Sequence, residues 1–237
     1  MITARCSMRA SRRPPRESRP TIDSGVRRLL IAGLLAALLA AVTQIAAGAA
    51  PSSVAPWAGS GPGTVTVTND GTTGPAQMTY SLRSTSAYSR QTWTFSTTAS
   101  GGPRTLRYDY KGFHAYYQVT VFLDDFVTHG GATTTRPLVS AGPVNCCTPP
   151  SGGFEYKGSV TLSVQPGDTY GFRFGGSNFD SNDILSGTLT VDTVATSKDQ
   201  CMDDGWKAVT DQNGTPFKNE GDCVSYVSTG GRNPAGG

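Results

Sequence analysis

The stretch Val160–Asp192, VTLSVQPGDTYGFRFGGSNFDSNDILSGTLTVD, decides the fold class. Val160, Leu162 and Val164 alternate with polar residues, as do Tyr170, Phe172 and Phe174, and then Leu185, Leu189 and Val191. A period of two places every second side chain on a common face, so these are three half-buried strands. Pro166 suits position i+1 of a type II turn and Gly167 the positive φ at i+2, which predicts a hairpin between the first two. The loop Gly175–Asp183 then carries the chain into the third.

Upstream the same rhythm recurs in Thr64–Thr68, Gln77–Leu82, Gln91–Thr97, Arg104–Tyr110 and His114–Leu123. Turn residues separate them, among them Asn69-Asp70-Gly71, Gly74-Pro75, Gly101-Gly102-Pro103 and Lys111-Gly112. About eight short strands without a long helix predict an all-β fold, an antiparallel sandwich or jelly roll over residues 64–194. Leu106, Tyr108 and Tyr110 share one face, as do Ala115, Tyr117, Val119, Val121 and Leu123; these are the expected core. Thr128–Gly153 holds too many breakers for a long strand and reads as a long loop.

The flanks differ in composition. Residues 1–50 run from an Arg- and Pro-rich start through Arg27-Arg28 into the apolar Leu29–Ala50, the pattern of a secretory signal helix with cleavage near Ala49 or Ala50. Val26 is an alternative start, which would shorten an otherwise overlong charged region. An uncleaved membrane anchor is the competing reading; Gln44 and the Ala/Gly-rich end favour cleavage. Residues 51–63 read as a linker. Residues 195–237 change character again, with Cys201, Trp206, Cys223 and a short helix expected from Asn219, as N-cap, to about Ser228. Too small to own a core, this C-terminal module must be stapled, docked on the sandwich, or both.

Removing the signal reverses the charge. The chain has 20 Lys+Arg and 17 Asp+Glu, but residues 1–50 hold eight of the former and two of the latter, leaving 12 against 15 and a net −3. With no basic cluster in that remainder, nucleic acid drops out as a partner, and contact with a membrane is confined to the signal before cleavage.

Four cysteines remain, Cys146, Cys147, Cys201 and Cys223. In an exported chain they are expected to oxidise, and Cys201–Cys223 is the favoured bridge because it closes the module that lacks a core. Four cysteines permit three pairings, and Cys146 and Cys147 stay open between a vicinal bridge, free thiols and other partners.

Catalytic signatures are sparse: two histidines, His114 and His129, no pair at metal spacing, no nucleophile elbow and no phosphate loop. Asp124-Asp125 and Asp180/Asp183 carry no signal of a set carboxylate separation. The chain is therefore expected to bind rather than catalyse, with a hydrolytic enzyme of unrecognised site as the third reading. Calcium is a candidate cofactor, with Asn178, Asp180, Asn182 and Asp183 as ligands and Asp124 or Asp125 completing the set, although the spacing fails the EF-hand pattern. Tyr116, Gln118 and Phe122, with Arg107 on a neighbouring run, form a candidate ligand face of aromatics beside hydrogen-bonding groups. Such a face suits sugar rings; interior packing or the docking of the terminal module would use the same residues.

Two resemblances add to this. Cys201, Gly205-Trp206, Phe217-Lys218-Asn219, Gly221 and Cys223-Val224-Ser225 form a pattern that resembles a short module at the C-termini of many secreted actinobacterial proteins. That likeness implies export and a disulfide and carries no activity. The larger region resembles extracellular jelly-roll modules of the carbohydrate-binding or CUB-like kind, which implies a secreted glycan-binding module, or alternatively a structural or protein-interacting component of the cell envelope.

Overall fold

The computed structural model describes residues 54–83, 90–114, 119–144, 153–177 and 184–236. Eleven strands and one α-helix follow in order: β1 Ala58–Ser60, β2 Thr64–Asn69, β3 Ala76–Arg83, β4 Arg90–Thr98, β5 Gly102–His114, β6 Val119–His129, β7 Ala132–Val144, β8 Gly153–Val164, β9 Thr169–Ser177, β10 Ile184–Val194, β11 Val209–Thr210 and α1 Glu220–Ser228. They build two sheets, β1-β4-β9-β6-β7 and β2-β3-β10-β5-β8, packed face to face as an antiparallel sandwich. The expected fold class is therefore the observed one.

Aromatic rings fill the space between the sheets. Trp93, Phe95, Tyr110, Phe172 and Phe174 are fully buried, joined by Leu106, Val121, Leu123, Leu185 and Leu189. Tyr80 lies 4.2 Å from Trp93 and Tyr110 lies 5.3 Å from Phe174, centroid to centroid, so rings from the two sheets interdigitate. Room for them comes from glycines in register on the adjacent strand: Gly187 opposite Tyr80, Gly112 opposite Phe154 and Gly158 opposite Tyr108. A methyl group at Gly187 would meet the Tyr80 hydroxyl at 2.6 Å.

Five expectations are corrected. Pro166-Gly167 does form a tight turn, with Gly167 at φ 87° and the Asp168 N–H donating to Gln165 C=O at 3.1 Å. It does not form a hairpin, because β8 and β9 belong to different sheets. The turn crosses the sandwich and is held by the β4–β5 corner, where Gly167 N–H donates to Ala99 C=O and Ala99 N–H to Asp168 C=O.

The expected loop over Thr128–Gly153 is largely strand. Gly130 and Gly131 both take positive φ, 54° and 85°, and close a two-residue hairpin between β6 and β7. Pro137 is tolerated because β7 is an edge strand, and a register shift between Leu123 and Asp124 absorbs it.

The run His114–Leu123 is not one strand: β5 ends at His114 in one sheet and β6 begins at Val119 in the other. Lys111-Gly112 lies inside β5 rather than at a turn.

Finally, the expected linker over 51–63 is structured at its C-terminal end. Trp57 is buried 5.0 Å from Phe95, β1 pairs with β4, and Trp93 Nε1 donates to Pro62 C=O at 3.0 Å. A single tryptophan in a Pro/Gly/Ser-rich stretch supplies the anchor that composition conceals.

Beyond β10 a second, smaller cluster gathers Ala195, Cys201, Val209, Phe217, Cys223 and Tyr226. Cys201 and Cys223 are bonded, with Cα atoms 5.7 Å apart. Asn219 caps α1 by accepting from the Asp222 N–H at 2.9 Å, and Gly230 and Gly231 end it at positive φ. The segment is both stapled and docked: β11 runs parallel to the end of β10, and Gly74 N–H donates to Lys207 C=O at 2.7 Å.

Candidate functional site

Strands β4, β9, β6 and β7 present one continuous outer face. Trp93, Phe95 and Thr97 point inward from β4, so Thr92, Thr94, Ser96 and Thr98 point out; on β6, Val121 and Leu123 point in, and Phe122, Asp124 and Phe126 out. Register aligns these into rows: Thr92–Gly175–Phe122–Ser140, Thr94–Arg173–Asp124–Pro137, Ser96–Gly171–Phe126–Thr135 and Thr98–Thr169–Thr128–Thr133.

Two phenyl rings on this outer face are nonetheless hidden, Phe122 at 9% exposure and Phe126 at 3%. The Arg90 guanidinium lies 3.7 Å from the Phe122 centroid and that of Arg173 lies 4.8 Å from Phe126, so each ring carries a stacked planar cation. Each phenyl also has a glycine beside it, Gly175 or Gly171, where any side chain would collide with the backbone oxygen of Gln91 or Phe95. Asp124 sits between the two stacks. Burial pushes its carboxyl above the usual value, opposed by Arg90 and Arg173 and reinforced by Asp125. The face thus offers planar guanidinium edges as donors, one carboxyl, and flanking rows of hydroxyls, with apolar rings directly beneath.

Of the candidate ligand face read from the sequence, Phe122 is the one described residue that lies here, beside Asp124, a candidate for completing the calcium site. Arg107 does not join it. It points outward from β5 on the other sheet, in register with Asp192 and 3.9 Å from its carboxylate, under the turn that carries Gly214. Burial raises the Asp192 carboxyl, Arg107 lowers it and Asp109 raises it again. Tyr116 and Gln118, the calcium candidates Asn178, Asp180, Asn182 and Asp183, and the Cys146-Cys147 pair all lie outside the described residues. Among the described residues no cluster of three or more His, Cys, Asp or Glu could hold a metal. Asp124 and Asp125 cannot act as a carboxylate pair, since neighbours in a strand face opposite ways; Asp125 is buried, and both Nε and an Nη of Arg136 donate to its Oδ2 at 2.9 and 2.7 Å.

Sequence reading missed Arg90, Arg173, Asp124 as part of a binding face, and Phe126. Their signal was the alternation itself: Phe126 is four residues from Phe122, and Arg173 stands between Phe172 and Phe174.

A separate cleft of about 600 Å³ opens at the β7–β8 edge, lined by Asp125, His129, Thr134, Arg136, Gln165 and Asp168. There His129 Nδ1 meets Asp168 Oδ1 at 2.7 Å. Both Asp168 oxygens are committed, the second accepting from the Gln165 N–H at 2.8 Å inside the crossing turn. The turn amide and then His129 hold this carboxyl below the usual aspartate value. The pair thereby braces the crossing turn against the end of β6.

No family model matches the chain, and no curated protein matches it. Solved structures of several kinds superpose on part of it. A structure of infectious bursal disease virus, Gt strain, aligns at 13% identity and TM-score 0.36, covering 54% of this chain and 32% of the viral one. A CBM4 carbohydrate-binding module aligns at 14% identity and TM-score 0.31, covering 58% of this chain and 94% of the module. TmCBM61, solved in complex with β-1,4-galactotriose, aligns at 12% identity and TM-score 0.32, covering 58% and 88%. At such identities the functional reading has to come from the chain's own residues.

Proposed function

We propose that this chain is a secreted, non-catalytic binding protein whose outer β4–β9–β6–β7 face takes an extracellular or cell-surface glycan. The observation that carries this is the grid of hydroxyl rows around two Phe–Arg stacks. A polyhydroxylated chain needs many moderate donors and acceptors held in fixed positions, and this grid supplies hydroxyl rows with two guanidinium groups held in place by the buried rings beneath them. The Cys201–Cys223 bridge supports export, since disulfides persist in oxidising compartments. Among the described residues no helix is long and apolar enough to cross a membrane.

A glycan array and a pull-down on insoluble polysaccharides test the proposal, with Phe126→Ala as the site variant. Retention on at least one polysaccharide, lost in the variant, is expected. Absence of binding to every glycan, together with co-purification of one stoichiometric protein, would overturn it in favour of an envelope interaction.

A further inference from the structure

Among the described residues Arg107, Arg136, Lys157 and Lys207 each have a carboxylate within 4.0 Å. Arg90 and Arg173 have none among the described residues, and neither makes a side-chain hydrogen bond there. They are not loose side chains, however, because each guanidinium is stacked on a buried phenyl ring. Stacking restricts the plane and leaves the N–H edges unoccupied, so part of the entropy of ordering a long cation is already spent. Asp124, the one acid in the same rows, has its carboxyl shifted toward the neutral form by burial.

The two stacks also have a fixed spacing. Phe122 and Phe126 are four residues apart on β6, which separates them by about 13 Å at ~3.4 Å per residue. No single sugar ring spans that distance. A ligand that engages both guanidinium groups is a chain, and it carries an anionic group at each end of the span.

We infer that the glycan bound by this face is an anionic polysaccharide, whose carboxylate or sulfate groups take the forked N–H donors of Arg90 and Arg173 while its hydroxyls meet the Thr and Ser rows. A guanidinium offers two parallel donors that match either oxyanion, and a single carboxyl, Asp124, lies between the two guanidinium groups in the described rows. The inference rests on the glycan reading of the same face and narrows it to a substrate class.

The test is affinity electrophoresis or calorimetry of the disulfide-intact protein lacking residues 1–50. The probes are polygalacturonate, dextran sulfate, and neutral xylan and galactan. Binding to one or both acidic polymers, weakened about tenfold or more by Arg90→Gln or by Arg173→Gln, is the expected result. Rising NaCl should weaken it, and Lys157→Gln on the opposite face should leave it unchanged. The two acidic polymers separate a carboxylate from a sulfate ligand. Near-UV circular dichroism of the Arg variants reports the fold, and Arg90→Lys, which keeps the charge but loses the fork, should recover only part of the affinity. Tight binding to xylan or galactan that ignores both Gln variants would overturn the inference and leave the glycan reading standing. Failure of all four polymers would overturn both.

Discussion

The hydroxyls of Tyr80 and Tyr110 meet 3.0 Å apart in the middle of the sandwich, on neighbouring sides of the central strand β10. Tyr110 Oη also lies 3.4 Å from the Gly175 carbonyl of the facing sheet, so it has two polar neighbours where Tyr80 has one, and either hydroxyl can be the donor in the pair. The two substitutions are therefore unequal. Tyr80→Phe takes one of two neighbours from Tyr110, which keeps the Gly175 carbonyl as an acceptor, and should cost about 1 kcal/mol or less. Tyr110→Phe strands the buried Tyr80 hydroxyl and should cost about 1–3 kcal/mol. Urea denaturation of both variants measures the difference, and equal midpoints would refute the asymmetry.

The same pair sets the alkaline limit. Burial raises the Tyr80 phenol above its ordinary value of 10.0, and burial followed by the neighbouring Tyr80 does the same to Tyr110. In the unfolded chain both ionise at the ordinary value, so their contribution to stability is whole below about pH 10 and shrinks as pH climbs toward the folded-state values. The melting temperature should stay level from about pH 7 to 9 and drop beyond about pH 10. Tyrosinate absorbance should show the buried phenols ionising only as the protein unfolds. Full titration of every tyrosine near pH 10 with the fold intact would contradict this.

Asp168 sets the acid side. Its folded-state value lies below the ordinary 3.8 because the Gln165 amide, and then His129, bond the ionised form. Its contribution is complete above that ordinary value and is lost as pH falls through the lower folded one. Asp168→Asn should lower the melting temperature at pH 6, and the gap from the parent protein should narrow as pH falls below the ordinary aspartate value and close below the folded-state one. A gap that persists at the lowest pH would mean that the carboxylate charge is not what the turn uses.

Cys223→Ser tests how the C-terminal segment depends on the sandwich. A bridge spanning 22 residues contributes roughly 3 kcal/mol, mostly by restricting the unfolded chain. The variant should loosen Ala195–Gly236 while the sandwich, which buries its own cluster, stays folded. Limited proteolysis with mass spectrometry should find cuts confined to the C-terminal segment. Cuts throughout β2–β10 would show that the two clusters stand or fall together.

How legible this was from sequence depends on the scale of the feature. Alternation in Val160–Val164, Tyr170–Phe174 and Leu185–Val191 identified strands and their buried faces, because that pattern is local and the core rewards it directly. Which sheet a strand enters is not local. Pro166-Gly167 looks the same whether it folds a hairpin or crosses the sandwich, and the crossing is decided by hydrogen bonds to Ala99, far away in the chain. Gly130-Gly131 was readable as a break but equally as a hairpin turn, and only the pairing of β7 distinguishes them. The candidate face was half visible for the same reason: Phe122 announced itself as an aromatic among polar residues, while Arg90 and Arg173 became part of it only through cross-strand register.

The position of β10 has a consequence for how the protein comes into being. It is the last long strand to be synthesised, yet it lies at the centre of its sheet, between β3 and β5. Until Ile184–Val194 emerges, both of those strands lack their inner partner, and the rings of Tyr80 and Tyr110 have no finished surface to pack on. No N-terminal fragment can close the sheet early, and the sequence separation of the final pairings makes closure slow compared with local structure. Closure of this sheet therefore waits until the chain has been made as far as residue 194 of 237.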